Sequence, residues 1–471
     1  MRPDDLATCP SQAMRHVRHI HFVGIGGAGM CGIAEVMANL GYTVSGSDIV
    51  PSPVTSRLES LGIAVSTQHL ASNIKDADVV VTSSAIADDN PEVVSAHALH
   101  KPVVPRAEML GELMRHRYGI AVAGSHGKTT ATSFIADIFQ AANMDPTYVI
   151  GGLLKSDNRN AKLGSSRYII AEADESDASF LYLHPMLAVI TNIDHDHLGT
   201  YGQDFEQLRS AFRDFVSKLP FYGAVILCID DEECRRFADE ITRPVITYGL
   251  HDDADYQAVD IEVTGVEWRF KVKRPNDQTL LPIEIQLPGI QNVQNALAAI
   301  AVASDEGIAD THIQEGIRRF IGVGRRFEVS EIRLNDHHLP LVDDYGHHPT
   351  ELACTLETVK RVWPSKRQLM VYQPHRFTRT RDLFDDFTNV LRKPDDLIIL
   401  DTYAASEQAI DGASALDLCD AINEGDTTHV AFAAHVEEVV EWINHTAEAD
   451  HVVMVQGAGD VSRVSDLLKS S

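Results

Sequence analysis

Residues 118–130, YGIAVAGSHGKTT, constrain this chain more than any other stretch. The apolar run 118–122 reads as a strand and residues 132–142 read as a helix. Gly124, Ser125, His126, Gly127, Lys128, Thr129 and Thr130 make the connection, and Lys128 is expected on an exposed loop. Backbone N–H groups at a helix N-terminus point at anions, a lysine adds positive charge, and a threonine hydroxyl suits Mg²⁺. A strand, this loop and a helix therefore make a phosphate cradle in an α/β sheet. The commoner loop has a glycine six residues before the lysine; Val122 stands there.

Two further strand ends carry polar motifs. Residues 169–171 run into Glu172-Ala173-Asp174-Glu175-Ser176-Asp177, and residues 187–191 run into Asn192-Ile193-Asp194-His195-Asp196-His197. Carboxylates at the C-terminal end of a parallel strand, beside a phosphate loop, are placed to hold Mg²⁺. GSHGKTT, EADESD and TNIDHDH in this order resemble the Mur ligase family, ATP-dependent enzymes that join amino acids to a UDP-sugar carboxylate. The likeness continues through NPE, RAEML, LPFYG, GVGRRFE, LVDDYGHHPTE, QPHRFTRTRDL and VQGAGD, nearly the whole chain.

The first segment has its own phosphate signature. A short strand at 19–23 is followed by Gly24-Ile25-Gly26-Gly27-Ala28-Gly29 and a helix over 30–40; Asp48 ends the next strand. Alone, this reads as a dinucleotide-binding turn with an acid for a ribose hydroxyl. A second, separate phosphate loop downstream weakens that reading, because the same glycines admit any pyrophosphate, including that of a UDP-sugar. The expected fold is α/β with three domains: Rossmann-like over 1–117, a central P-loop ATPase-type domain over 118–324, and a C-terminal Rossmann-like α/β domain over 325–471. Gly322 and Gly324 mark a hinge candidate.

Composition agrees. The 471 residues hold 40 Lys and Arg against 68 Asp and Glu, a formal charge of −28, which disfavours nucleic acid and anionic membranes. Six cysteines without a CxxC pair suggest neither a zinc ribbon nor a disulfide scaffold. No apolar run is long enough to span a bilayer, and residues 1–19 lack an apolar signal core. A cytoplasmic protein, monomer or weak homodimer, is the expectation.

The resemblance implies roles for particular residues. GIGGAGMCGIAE points to the branch that adds L-alanine to UDP-N-acetylmuramate through an acyl phosphate, with ATP and Mg²⁺. Gly24, Gly26, Gly27, Gly29, Asp48 and Ser84 would bind the UDP-sugar. Residues 124–130 would bind ATP phosphates, with Asn292 and Asn295 near the base and Arg325 and Arg326 reaching the nucleotide. Gln291 stands where most relatives have His. Thr129, Glu172 and His197 would hold Mg²⁺; His195 is not required by the motif. Phe212 stands where later-acting relatives carry a modified lysine. Tyr345, His375, Arg376 and Arg379 would form the amino-acid pocket, while His347 and His348 have no assigned role. Lys128, Glu172, His197 and Arg376 are the catalytic candidates. The rival readings are a recycling ligase that adds a preformed peptide, an NAD-dependent oxidoreductase, and a non-catalytic nucleotide-binding protein.

Overall fold

The structure is a computed structural model that describes residues 14–83, 85–155, 159–275, 277–405, 407–424 and 430–470. Ser84, a UDP-sugar candidate, lies outside the described residues. The protein has a three-domain α/β architecture, with one sheet per domain. It divides into two compact units: residues 1–259, 271–283 and 294–320, and residues 260–270, 284–293 and 321–471.

The first sheet holds β1 (His19–Val23), β2 (Thr43–Ser47), β3 (Ala64–Ser66), β4 (Val79–Thr82) and β5 (Val103–Pro105). Its order is β3-β2-β1-β4-β5, parallel throughout. The order reverses beside β1, the switch point at which open α/β sheets bind ligands. β4 is a continuous, largely buried apolar run, whereas β1 and β2 carry His and Ser among their apolar residues.

The second sheet holds β6 (Tyr118–Ala123), β7 (Thr147–Leu154), β8 (Arg159–Lys162), β9 (Tyr168–Glu172), β10 (Leu187–Ile190), β11 (Ala224–Cys228), β12 (Val245–Gly249) and β13 (Tyr256–Thr264). Within the first unit its order is β13-β12-β11-β10-β6-β9-β7-β8. The hairpin strands β14 (Glu267–Lys273) and β15 (Leu281–Ile285) follow in sequence. One continuous apolar cluster runs from Phe22, Met37 and Met109 to Ala121, Phe180 and Phe212, so the first two sheets share a core.

The third sheet, in the second unit, holds β16 (Glu328–Leu334), β17 (His337–Asp344), β18 (Arg367–Tyr372), β19 (Asp396–Leu400), β20 (Val430–Ala433) and β21 (His451–Gln456). Its order is β16-β17-β21-β18-β19-β20, with only β16 antiparallel. One cluster, with Leu352, Phe387 and Leu418, covers one face; another, with Val439, Ile443 and Leu468, covers the other.

Helix bounds depart from the sequence reading at their starts. The helix expected from residue 132 begins at Lys128. Hydrophobic periodicity starts only where a helix meets the core, whereas its first turn is polar. Residues 377–391 form two helices, Phe377–Asp382 and Phe384–Leu391, separated at Leu383.

Candidate active site

Strand order explains why the motifs meet. β6 lies between β10 and β9, so the loops leaving β10 and β9 flank the loop leaving β6. Thr191 Oγ1 donates to His126 O at 2.6 Å, His126 N donates to Asn192 Oδ1 at 2.8 Å, and Asp194 N donates to Ser125 Oγ at 2.9 Å. His126 Nε2 lies 3.0 Å from Asp194 Oδ2. These bonds tie the loop after β6 to the strand end after β10. Gly124 (φ +123°) and Gly127 (φ +84°) take conformations that L side chains rarely adopt. A Cβ on Gly127 would lie 2.6 Å from Asn295 Oδ1, so buried Asn295 reaches the loop. Thr129 and Thr130 are buried in the first helical turn.

Lys128 corrects an expectation. It is no exposed loop residue but the first residue of helix Lys128–Ala141, and its Nζ lies 2.9 and 2.8 Å from the two carboxylate oxygens of Glu175. Glu175 is only 1% exposed. Burial opposes the lysine's charge, yet Glu175, Asp174 and Glu172 together outweigh it and hold the Lys128 pKa above its ordinary value. Nζ also donates to Gly124 O at 2.6 Å. The partner of Lys128 was visible as part of EADESD, but no spacing rule separates Glu175 from Glu172.

Glu172 ends β9 and accepts from Gly151 N at 2.7 Å. A Cβ on Gly151 would lie 2.8 Å from Glu172 Oε2, so the carboxylate packs directly against the glycine backbone. His197 adopts φ +58°, with its Nε2 3.3 Å from Asp196 Oδ2. His195 instead stacks on Phe205, centroids 4.0 Å apart. Phe212 is fully buried against Phe180.

At the first glycine loop, Gly24 N and Ile25 N donate to Ser47 O, and Gly26 N donates to Asp48 Oδ2 at 2.9 Å. Asp48 Oδ1 also accepts from Val50 N. Gly27 caps helix Ala28–Asn39. Arg106, a residue given no role from sequence, lies over Gly29: a Cβ there would be 2.8 Å from Arg106 Nη1.

In the second unit, rings from three strand ends form a row. Tyr345 and His347 follow β17, His375 follows β18, and Tyr403 follows β19; successive centroids are 5.4, 5.4 and 5.5 Å apart. The Arg325 and Arg326 guanidinium carbons lie 5.5 and 5.0 Å from the Tyr345 ring centroid. Arg325 Nε lies 3.1 Å from Asp343 Oδ1, and Arg325 Nη2 donates to Gly457 O. Arg379 is buried and donates to His375 O at 3.3 Å, whereas Arg376 is half exposed and lies 3.5 Å from Glu407. Tyr403 and Glu407 escaped the sequence reading because nothing local marks them. His348 accepts from Thr350 N and caps helix Pro349–Val362, a structural task. Asn292 donates its amide to Pro288 O at 2.7 Å, and Gln291 packs back over Gly289.

A Gly-Lys-Thr loop flanked by acidic and histidine-bearing strand ends, on three α/β domains, is the arrangement of a nucleotide-handling class of protein. Residues 19–118 match the Mur ligase family catalytic domain, 122–303 the Mur ligase middle domain, and 325–459 the Mur ligase glutamate ligase domain. The chain belongs to the Mur ligase family and is an ATP-dependent amide-bond ligase. The UDP-N-acetylmuramate–alanine ligase of Thermotoga maritima is similar at 28% identity, over 96% of this chain and 98% of that one, with TM-score 0.80. A murein peptide ligase from Psychrobacter arcticus shares the fold at 23% identity, over 96% and 98%, with TM-score 0.71. The UDP-N-acetylmuramate:L-alanyl-γ-D-glutamyl-meso-diaminopimelate ligase of Neisseria meningitides is 28% identical over 66% of this chain and all of that one, with TM-score 0.59.

Proposed function

We propose that this protein ligates L-alanine to the carboxylate of UDP-N-acetylmuramate, releasing ADP and phosphate, in the synthesis of peptidoglycan precursors. The observation that carries the reading is the similarity to an alanine ligase along nearly the full length of both chains. GIGGAGMCGIAE at the first glycine loop favours the same branch.

The substrate carboxylate attacks the γ-phosphorus of ATP and ADP leaves; the alanine amine then attacks the acyl carbon and phosphate leaves. Both nucleophiles belong to substrates, so the protein supplies position and charge. Lys128 meets the β- and γ-phosphates. Glycines 24, 26, 27 and 29, with Asp48, hold the UDP-sugar. Arg376, with its planar fork, takes the amino-acid carboxylate, and Tyr345, His375 and Arg379 shape the pocket around it. Thr129, Glu172 and His197 would hold Mg²⁺; the hydroxyl and carboxylate oxygens suit a hard cation. When bound, Mg²⁺ neutralises phosphate charge. Domain bounds of 1–117, 118–324 and 325–471 suit these three tasks.

Phosphate release from ATP, with UDP-N-acetylmuramate present, tests the proposal. L-alanine should support release and a preformed peptide should not. Release with peptide alone would transfer the reading to the recycling ligases.

A further inference from the structure

The row of rings in the second unit surrounds a backbone at odds with its own sequence. Arg376 has φ +74° and ψ +134°, a region that residues with a Cβ rarely occupy. It is also the N-cap of helix Phe377–Asp382, and an arginine side chain has no acceptor for the first N–H groups. The acceptor comes from the loop after β19. Glu407 Oε2 accepts from Thr378 N at 3.0 Å, and Glu407 Oε1 accepts from Thr378 Oγ1 at 2.7 Å. The same Oε1 lies 3.5 Å from Arg376 Nη1. Tyr403, in the same loop, accepts from Arg376 N at 2.9 Å and stacks its ring on His375. Burial opposes the Glu407 charge, but the two bonds from Thr378 and the nearby Arg376 outweigh it and keep the carboxyl below its ordinary pKa. A strained residue persists only where its surroundings over-determine it, and here those surroundings converge on a candidate substrate arginine.

We propose that Glu407 is a positioning residue of the amino-acid site: it caps helix Phe377–Asp382 from another loop and holds Arg376, so that the guanidinium is presented to the carboxylate of the incoming amino acid. The inference rests on the assignment of Arg376 made above. Glu407 moves no proton and touches no reacting atom. It acts through Arg376 and Thr378, which distinguishes it from a residue that merely fills space.

The test is a double-mutant cycle on the full chain with Glu407→Gln and Arg376→Lys, reading KM and kcat for L-alanine, ATP and UDP-N-acetylmuramate. Glu407→Gln should raise the KM for L-alanine about fivefold or more, with kcat at saturating alanine and the other two KM values within about twofold. In Arg376→Lys the second substitution should add little, because its target is already lost. Glu407→Asp, which keeps the charge on a shorter stem, should recover part of the affinity. Additive effects in the cycle, or an unchanged alanine KM in Glu407→Gln, would overturn the inference. Wild type tested with single amino acids against peptide decides the substrate separately; if peptide is used, the same cycle on the peptide KM decides Glu407.

Discussion

Lys128 illustrates how one residue answers to both folding and chemistry. Its charge is held by Glu175, a carboxylate 1% exposed, at 2.8 and 2.9 Å. Removing one partner of a buried ion pair strands the other, at a cost of about 3–5 kcal/mol. Lys128→Ala should therefore lose both activity and stability. Loss of a preorganised charge in phosphoryl transfer should lower kcat about a few-hundredfold or more. Adding Glu175→Gln should restore much of the stability, read by urea denaturation, and none of the activity. Equal stability of the single and double variants would show that the pair is not buried as described. The lysine itself was legible from GSHGKTT; its partner was not, because Glu172, Asp174, Glu175 and Asp177 are chemically similar and only the turn after β9 decides which one faces inward.

At the scale of elements, buried polar residues join strands that their apolar patterns alone would leave interchangeable. Glu92 opens helix Pro91–Ala98 and is fully buried. It accepts from Ser47 Oγ, at the end of β2, at 2.6 Å and from Asn73 Nδ2, in the turn Ala71–Ile74, at 2.6 Å. His69 Nδ1 lies 3.0 Å from it, and His21 Nε2, on β1, lies 3.4 Å from it. Burial raises the Glu92 pKa, but nearby His21 and the bonds from Ser47 and Asn73 prevail and bring it down to about 2, from an ordinary 4.5. A depressed carboxylate stabilises the fold above its unfolded pKa, and that stability is lost as pH falls toward the folded value. Between pH 4.5 and 2, the wild type should lose about 3 kcal/mol more than Glu92→Gln, measured by urea denaturation across that range. Parallel stability curves would remove Glu92 from this role. Asn90 caps the same helix by accepting from Glu92 N. That Glu92 also ties together β1, β2 and a distant turn depends on strand order.

For the whole molecule, the two glycine loops proposed to bind phosphates make the strongest claim. The first sits at the switch point of the order β3-β2-β1-β4-β5, and the second sits between the loops of β9 and β10. A UDP-sugar at the first loop should stabilise the protein by mass action, about 2.7 kcal/mol at 100 times its Kd. Thermal denaturation should show this with UDP-N-acetylmuramate and no shift with NADH; a saturable NADH shift that competes with the sugar nucleotide would revive the oxidoreductase reading. Much of this architecture was written locally. Strand, glycine turn and helix recur at 19–39 and 118–141, and each motif lies at a strand end because period, turn chemistry and phosphate-binding groups are properties of contiguous residues. The sequence alone therefore determined the α/β class, the three-sheet plan and the candidate loops. Tertiary structure decided the rest: that the first two sheets share one core, that Glu175 holds Lys128, that Arg106 lies over Gly29, and that Glu407 caps the helix at Arg376. These pairings join residues far apart in the chain or select one of several equivalent carboxylates, and burial and strand order, which no local pattern encodes, make the selection.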